Sequence, residues 1–211
     1  MEDAEIHKSL DSIALKELAS LHRSALPDSL LSLLGRRAIQ SYYQFVSASP
    51  SESLILVGSS PILGCCVLSF APATLMGRFL RSNPWRHGLF AILSLVQAKA
   101  FTRMIRTLFH FRDTFPGEME SLPEVVQLFV AGESRSSGIG YRLLKKAEEQ
   151  LHQRGAGGYF VKTQTEAGNR AIGFYKKNGF TLRGEVFLQG QHFQILAKDL
   201  EGLGRPRRPA P

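Results

Sequence analysis

The sequence predicts an α/β fold with a mixed sheet in one domain, on three observations. Apolar runs of strand length alternate with helical stripes through the second half of the chain. In the first half, two amphipathic stripes precede a pair of short apolar runs joined by a turn. A length of 211 residues with 44% apolar composition is enough for one substantial core.

The elements follow in order. Ile6, Leu10, Ile13, Ala14, Leu18 and Leu21 recur at helical spacing, and a second stripe of Leu30, Leu34, Ala38 and Phe45 follows the turn at Pro27 and Asp28. Leu54 to Val57 and Cys65 to Phe70 read as strands separated by the turn Gly58 to Gly64, which makes a hairpin the simplest reading. Pro72 ends the second strand, and Leu89, Leu93, Val96, Phe101, Met104, Ile105 and Leu108 return to helical spacing. Then come a strand from Val125 to Val130, a helix from Gly138 to Arg154, a strand from Tyr159 to Thr163 and a helix from Asn169 to Lys177. A strand from Phe180 onward and another from Phe193 to Leu196 complete the pattern. No internal repeat is visible, so residues 1–200 are expected to form one domain. Within it, 73–115 is a basic, apolar helical insertion, and 201–211 is a disordered basic, Pro-rich tail.

The net charge of +8 is unevenly placed. From Ser53 to Arg112 there is no Asp or Glu, whereas Arg78, Arg81, Arg86, Lys99, Arg103, Arg106 and Arg112 all fall inside that stretch. Without a recognition motif this does not point to nucleic acid. Cys65 and Cys66 are neighbours on a strand and face opposite ways, which favours neither a bridge nor a metal cluster. His22, His110, His152 and His192 lack ligand spacing, so no metal site is expected. An acidic start without a following apolar core, and an apolar run from Leu89 to Val96 too short to cross a bilayer, lead to a cytoplasmic expectation.

The strand from Val125 to Val130 runs through Ala131-Gly132-Glu133-Ser134 into Arg135-Ser136-Ser137-Gly138-Ile139-Gly140, where a helix begins. That helix is called independently by the stripe Ile139, Leu143, Leu144, Ala147 and Leu151 and by a stop at Gly155. A helix start presents unpaired N–H groups and about half a positive charge, so a pyrophosphate can sit there. A purely structural helix start would tolerate the same two glycines. No Gly-Lys-Ser/Thr follows, which disfavours a nucleotide P-loop, and Leu143 stands where a dinucleotide fingerprint has its third glycine. Coenzyme A is the remaining pyrophosphate ligand.

Residues 125–200 resemble the core of the GCN5-related N-acetyltransferase (GNAT) superfamily. Arg135, Gly138 and Gly140 match its Arg/Gln-x-x-Gly-x-Gly/Ala motif. Asn169-Arg170-Ala171-Ile172-Gly173-Phe174-Tyr175 through Gly179-Phe180 is similar to its second signature. The resemblance implies a splayed mixed β-sheet with helices on both faces and acetyl-CoA as cosubstrate. It implies a cofactor site of Phe129, Val130 and Ala131 backbone, holding the pantetheine like another strand, with Arg135, Ser136, Ser137, Gly138, Ile139 and Gly140 around the pyrophosphate. Asn169 caps its helix and contacts the cofactor, and Tyr175 protonates the departing thiolate. Glu124, where some members keep a glutamate, is the candidate base for the amine. Its alternative is a solvated charge at a strand end, with water chains moving the proton.

The insertion is longer than the minimal fold needs and is expected to carry acceptor specificity. Its helix over 89–108 could lie on an acidic membrane surface, meet an anionic acceptor, or pack on the core with a solvated basic edge, the last being the default. The reading is therefore transfer of acetyl directly to an amine of a small, anionic acceptor such as a nucleotide-linked amino sugar. The alternative is a non-catalytic acyl-CoA-binding or membrane- and partner-docking module.

Overall fold

The computed structural model describes residues 3–83, 121–165, 169–188 and 191–200. The helix expected over 89–108, most of the insertion and the tail lie outside these described residues. In chain order the elements are β1 (Ala4–His7), α1 (Ser12–Ala25), α2 (Leu30–Leu34), α3 (Arg36–Ala48), β2 (Glu52–Val57), β3 (Gly64–Ser69) and α4 (Pro72–Ser82). The rest are β4 (Glu124–Val130), a 3₁₀ turn (Gly132–Ser134), α5 (Ile139–Gln153), β5 (Gly158–Gln164), α6 (Ala171–Lys177), β6 (Thr181–Leu188) and β7 (Gln191–Asp199). The seven strands form one sheet in the order β1-β2-β3-β4-β5-β7-β6. Among the described residues only β4 and β5 run parallel, so the sheet is mixed, as expected.

Three boundaries differ from the sequence reading. Ile6 lies in β1, paired with Ile55, and the first helix starts later because Asp11 Oδ1 accepts the Ile13 and Ala14 amides at 2.9 and 2.7 Å. The second stripe is two helices, broken at Gly35, whose φ of +92° a side chain would resist. Pro72 opens α4, where the absent N–H has no intrahelical partner to lose, and α4 buries Leu75 and Phe79. The hairpin stands as read, with Leu54 opposite Val67 and Leu56 opposite Cys65.

β2 and β3 read as unbroken apolar runs because both of their faces are covered. One face packs Leu54, Leu56, Cys65 and Val67 with Leu18 of α1 and Ile39, Tyr42 and Val46 of α3. The other packs Ile55, Cys66 and Leu68 with Leu143, Leu144 and Leu151 of α5, and with Val161, Tyr175 and Leu196. The adjacent cysteines are thus buried on opposite faces, each a free thiol.

Buried carboxylates tie elements together. Glu148 of α5 accepts from Tyr159 of β5 at 2.8 Å, Lys198 of β7 at 2.5 Å and Lys145 at 2.8 Å. Glu52 accepts Arg78 of α4 bidentately at 2.8 and 2.6 Å, Ser69 at 2.8 Å and the Ser49 hydroxyl. Arg78, one of the cations of the acid-free stretch, is thus engaged by a buried carboxylate.

Burial alone would push the Glu52 and Glu148 carboxyls up, but the hydrogen bonds they accept outweigh it and hold both below the ordinary value. Their contribution to stability is therefore present above the unfolded value of about 4.3 and is lost as pH falls through the folded values. The urea unfolding midpoint should drop on acidification below that pH. Glu52→Gln should start lower at pH 7, by about 1–3 kcal/mol, and show the smaller acid drop.

Candidate functional site

β4 and β5 share two rungs only, Glu124 with Phe160 and Val125 with Val161. Beyond Val125, β4 stays on β3 as far as Val130, while β5 stays on β7 as far as Gln164. The strands therefore part, and a bulge at the same point helps to turn β4 away. Gln127 opposes Val67 and Val125 opposes Leu68, which leaves Val126 as the extra residue.

Backbone direction along the open stretch follows from one bond. Ala131 N–H donates to Leu63 O at 2.8 Å, and in an antiparallel ladder the same orientation recurs at every second residue. Phe129 thus turns its backbone groups toward β3, and Leu128 and Val130 turn theirs into the gap between β4 and β5. Ala131 O also accepts Ser134 N–H at 2.9 Å, so both of its backbone groups are used. Of the three residues expected to line the gap with backbone, Val130 turns its groups into it and Phe129 and Ala131 turn theirs elsewhere, while Leu128 also faces the gap.

The glycine turn sits at the open end of the gap. Residues 135–138 are exposed, Ser136 and Gly138 adopt left-handed φ of 66° and 82°, and Ser137 Oγ donates to Ser134 O at 2.6 Å. No side chain caps α5, so its first amides face outward from the turn. Ile139 is buried and can offer a ligand only its backbone, and Gly140 lies against Phe174 of α6. Gly64, read from sequence only as a turn residue, is what lets α5 start here. A Cβ on it would come within 2.7 Å of Ile139 Cγ2.

Tyr175 lies in the α5-side core with ring centroids 5.2 Å from Phe174 and 5.1 Å from Phe180. Burial first, and the Cys66 thiol second, push its phenol well above the ordinary value, so it stays protonated. Asn169 Oδ1 accepts the Ala171 amide at 2.9 Å, while Nδ2 donates to Thr163 Oγ1 at 3.1 Å and Gln164 O at 2.6 Å. It ties the start of α6 to the end of β5. With both amide hydrogens engaged, a further contact can only be to its oxygen.

Glu124 is not a solvated strand end. It is buried at the closed end of the gap, with Lys162 Nζ 3.1 Å from Oε1. Burial raises its pKa and Lys162 counters only in part. Val125 packs in the α5-side cluster, so Glu124, its neighbour on the strand, faces the α1 and α3 side.

A polar chain on that same face is absent from the sequence reading. Tyr43 of α3 donates to Gln127 Oε1 at 2.9 Å, and His22 of α1 meets Tyr43 Oη through Nδ1 at 2.7 Å and Ser29 Oγ through Nε2 at 2.9 Å. Its members are far apart in the chain, and only amphipathic position on α1 and α3 placed any of them near the core. Burial holds His22 neutral by lowering its pKa from 6.5 to about 4. The unfolded chain takes up that proton first, so stability from neutral His22 is present above pH 6.5 and is lost as pH falls toward 4. Urea unfolding should show this slope in the native chain, and His22→Gln should be less stable at pH 7 with a flatter slope.

The family model described as an acetyltransferase (GNAT) domain matches residues 100–182. No curated protein matches the chain in sequence. Among solved structures, a putative acetyltransferase of the GNAT family from Desulfovibrio desulfuricans is similar at TM-score 0.59 and 12% identity, covering 94% of this chain and 99% of its own. The ribosomal-protein-S18-alanine N-acetyltransferase from Escherichia coli is similar at TM-score 0.57 and 11% identity, with 97% and 99% covered. The PaiA N-acetyltransferase from Thermoplasma acidophilum, solved with coenzyme A, is similar at 0.55 and 14%, with 93% and 98% covered. At these identities the likeness is one of fold. Residues 100–182 thus match a GNAT acetyltransferase domain model, and the splayed mixed sheet has the fold of these solved acetyltransferases.

Proposed function

We propose that the protein transfers an acetyl group from acetyl-CoA directly to an amine. The observation that carries this reading is the two-rung contact between β4 and β5, with the uncapped start of α5 standing at the open end of the gap they leave. Pyrophosphate binds the amides that follow Gly138, where glycine supplies the left-handed backbone and no neighbour crowds the approach. Arg135 is exposed beside it and supplies a cation. The pantetheine then runs along Val130 and Leu128 as an added strand. From Val130 to Val125 an extended strand covers roughly 16 Å, within reach of an extended pantetheine, which sets the thioester near the closed end.

Acid and base approach the thioester from opposite faces. Tyr175, on the α5 side, gives its proton to the departing thiolate. Its raised pKa makes it a weak acid, yet the thiolate shares the same dry surroundings, which raise a thiol's pKa too. Glu124, on the α1 and α3 side, takes the proton of the amine, and a carboxylate made more basic by burial suits that step. No covalent attachment to the enzyme is needed. The acceptor is an amine entering from the Glu124 face. The case for an anionic one weakens with Arg78 engaged by Glu52.

Two measurements test the reading. Gly138→Asn and Gly138→Asp have side chains of nearly equal shape, both tolerate left-handed backbone, and they differ in one charge. Calorimetry should find acetyl-CoA bound by the native chain and by Gly138→Asn, and bound roughly tenfold or more weakly by Gly138→Asp. Absence of binding to the native chain would overturn the proposal. With a turned-over amine in hand, Tyr175→Phe should lower kcat about a hundredfold while leaving the acetyl-CoA Kd unchanged.

A further inference from the structure

Lys162 is an amine at the closed end of the gap that the reaction above does not use. It is the first residue of β5 past the last rung with β4, so its stem is rooted where the two strands part. Its side chain is 12% exposed, its Nζ lies 3.1 Å from Glu124 Oε1, and the same nitrogen sits 5.7 Å from the Phe160 ring centroid. An acceptor amine must come within hydrogen-bond reach of its base. Lys162 already occupies that position, on a four-carbon stem that can swing toward a thioester.

We propose that Lys162 is itself an acetyl acceptor, modified by acetyl-CoA bound in the gap between β4 and β5. The inference rests on the acetyl-CoA reading given above. In the step, the Lys162 ammonium passes a proton to Glu124 and the neutral amine attacks the thioester carbonyl. A C–N bond forms as the C–S bond breaks, Tyr175 protonates the departing thiolate, the amine's second proton returns through water to the Tyr175 phenolate, and Glu124 releases its proton to solvent. The products are an uncharged amide on Lys162 and free coenzyme A, and the Glu124 carboxylate loses its cation.

The experiment incubates the full chain with acetyl-CoA and no added amine, and follows each lysine by peptide mass spectrometry. Exposed Lys176 and Lys177 serve as internal references for chemical acetylation. Lys162 should be modified roughly a hundredfold faster than either, because binding holds the thioester beside it. With acetyl-CoA held below the native Kd, that excess should fall about tenfold or more in Gly138→Asp, and it should fall in Glu124→Gln. Lys162→Arg, which keeps a cation beside Glu124, should lose the fast phase and retain the slow one. If calorimetry shows acetyl-CoA bound yet Lys162 reacts no faster than Lys176 and Lys177, the proposal is overturned and the N-acetyltransferase reading stands. Equal Lys162 acetylation in Gly138→Asp at acetyl-CoA below the native Kd would also overturn it, as intrinsic reactivity. If acetyl-CoA does not bind, both fall together.

Discussion

The two rungs that join Glu124 to Phe160 and Val125 to Val161 are the constraint on which the rest of the site depends. A strand's backbone groups need partners, and between parted strands only water or a ligand can supply them. β4 is held through its length by β3, and β5 by β7, so neither can close the gap without abandoning a full ladder. The bulge at Val126 keeps them apart by bending β4 where the last rung ends. A slot into which Leu128 and Val130 turn their backbone groups is thus a property of the sheet.

Among the described residues, the groups around that slot are placed by strand and helix geometry. Gly64 lets α5 approach β3 closely, which brings the start of α5 over the open end. Glu148 binds α5 to β5 and β7, which ties the helix above the slot to the strands beyond it. Asn169 fixes α6 to the end of β5, and α6 carries Tyr175 into the α5-side core. On the other face, Tyr43 and His22 hold the Gln127 carboxamide just past the bulge.

How much of this could be read from the sequence depended on the range of the interaction. The hairpin, α5 and β5 were legible because apolar period alone fixes such elements, and the glycine turn was legible because left-handed backbone leaves glycine behind. Ile6 and Pro72 were misread for local reasons. Ile6 fits the helical phase of Ile13 by coincidence, and only the Asp11 cap shows where α1 starts. Pro72 reads equally as a strand stop and as a first helical residue. The direction of backbone groups along β4 was not legible, because it is set by register with Leu63, 68 positions away by residue number. The same holds for Glu124 with Lys162, Arg78 with Glu52, and the His22 chain, whose partners meet only once the sheet has formed.

The buried carboxylates of the described residues separate by how fully they are satisfied. Glu52 accepts from Arg78, Ser49 and Ser69, and Glu148 from Lys145, Lys198 and Tyr159, and in both the hydrogen bonds overcome burial and hold the carboxyl ionised. Carboxylates so surrounded are structural, since each donor lost would leave a buried charge exposed to its own desolvation cost. Glu124 is as deeply placed but leans on Lys162, and there burial prevails and the pKa rises. A buried carboxylate with a raised pKa costs stability that a purely structural role would not require. Its position at the point where β4 and β5 part sets a buried, ionisable acceptor at the closed end of the slot.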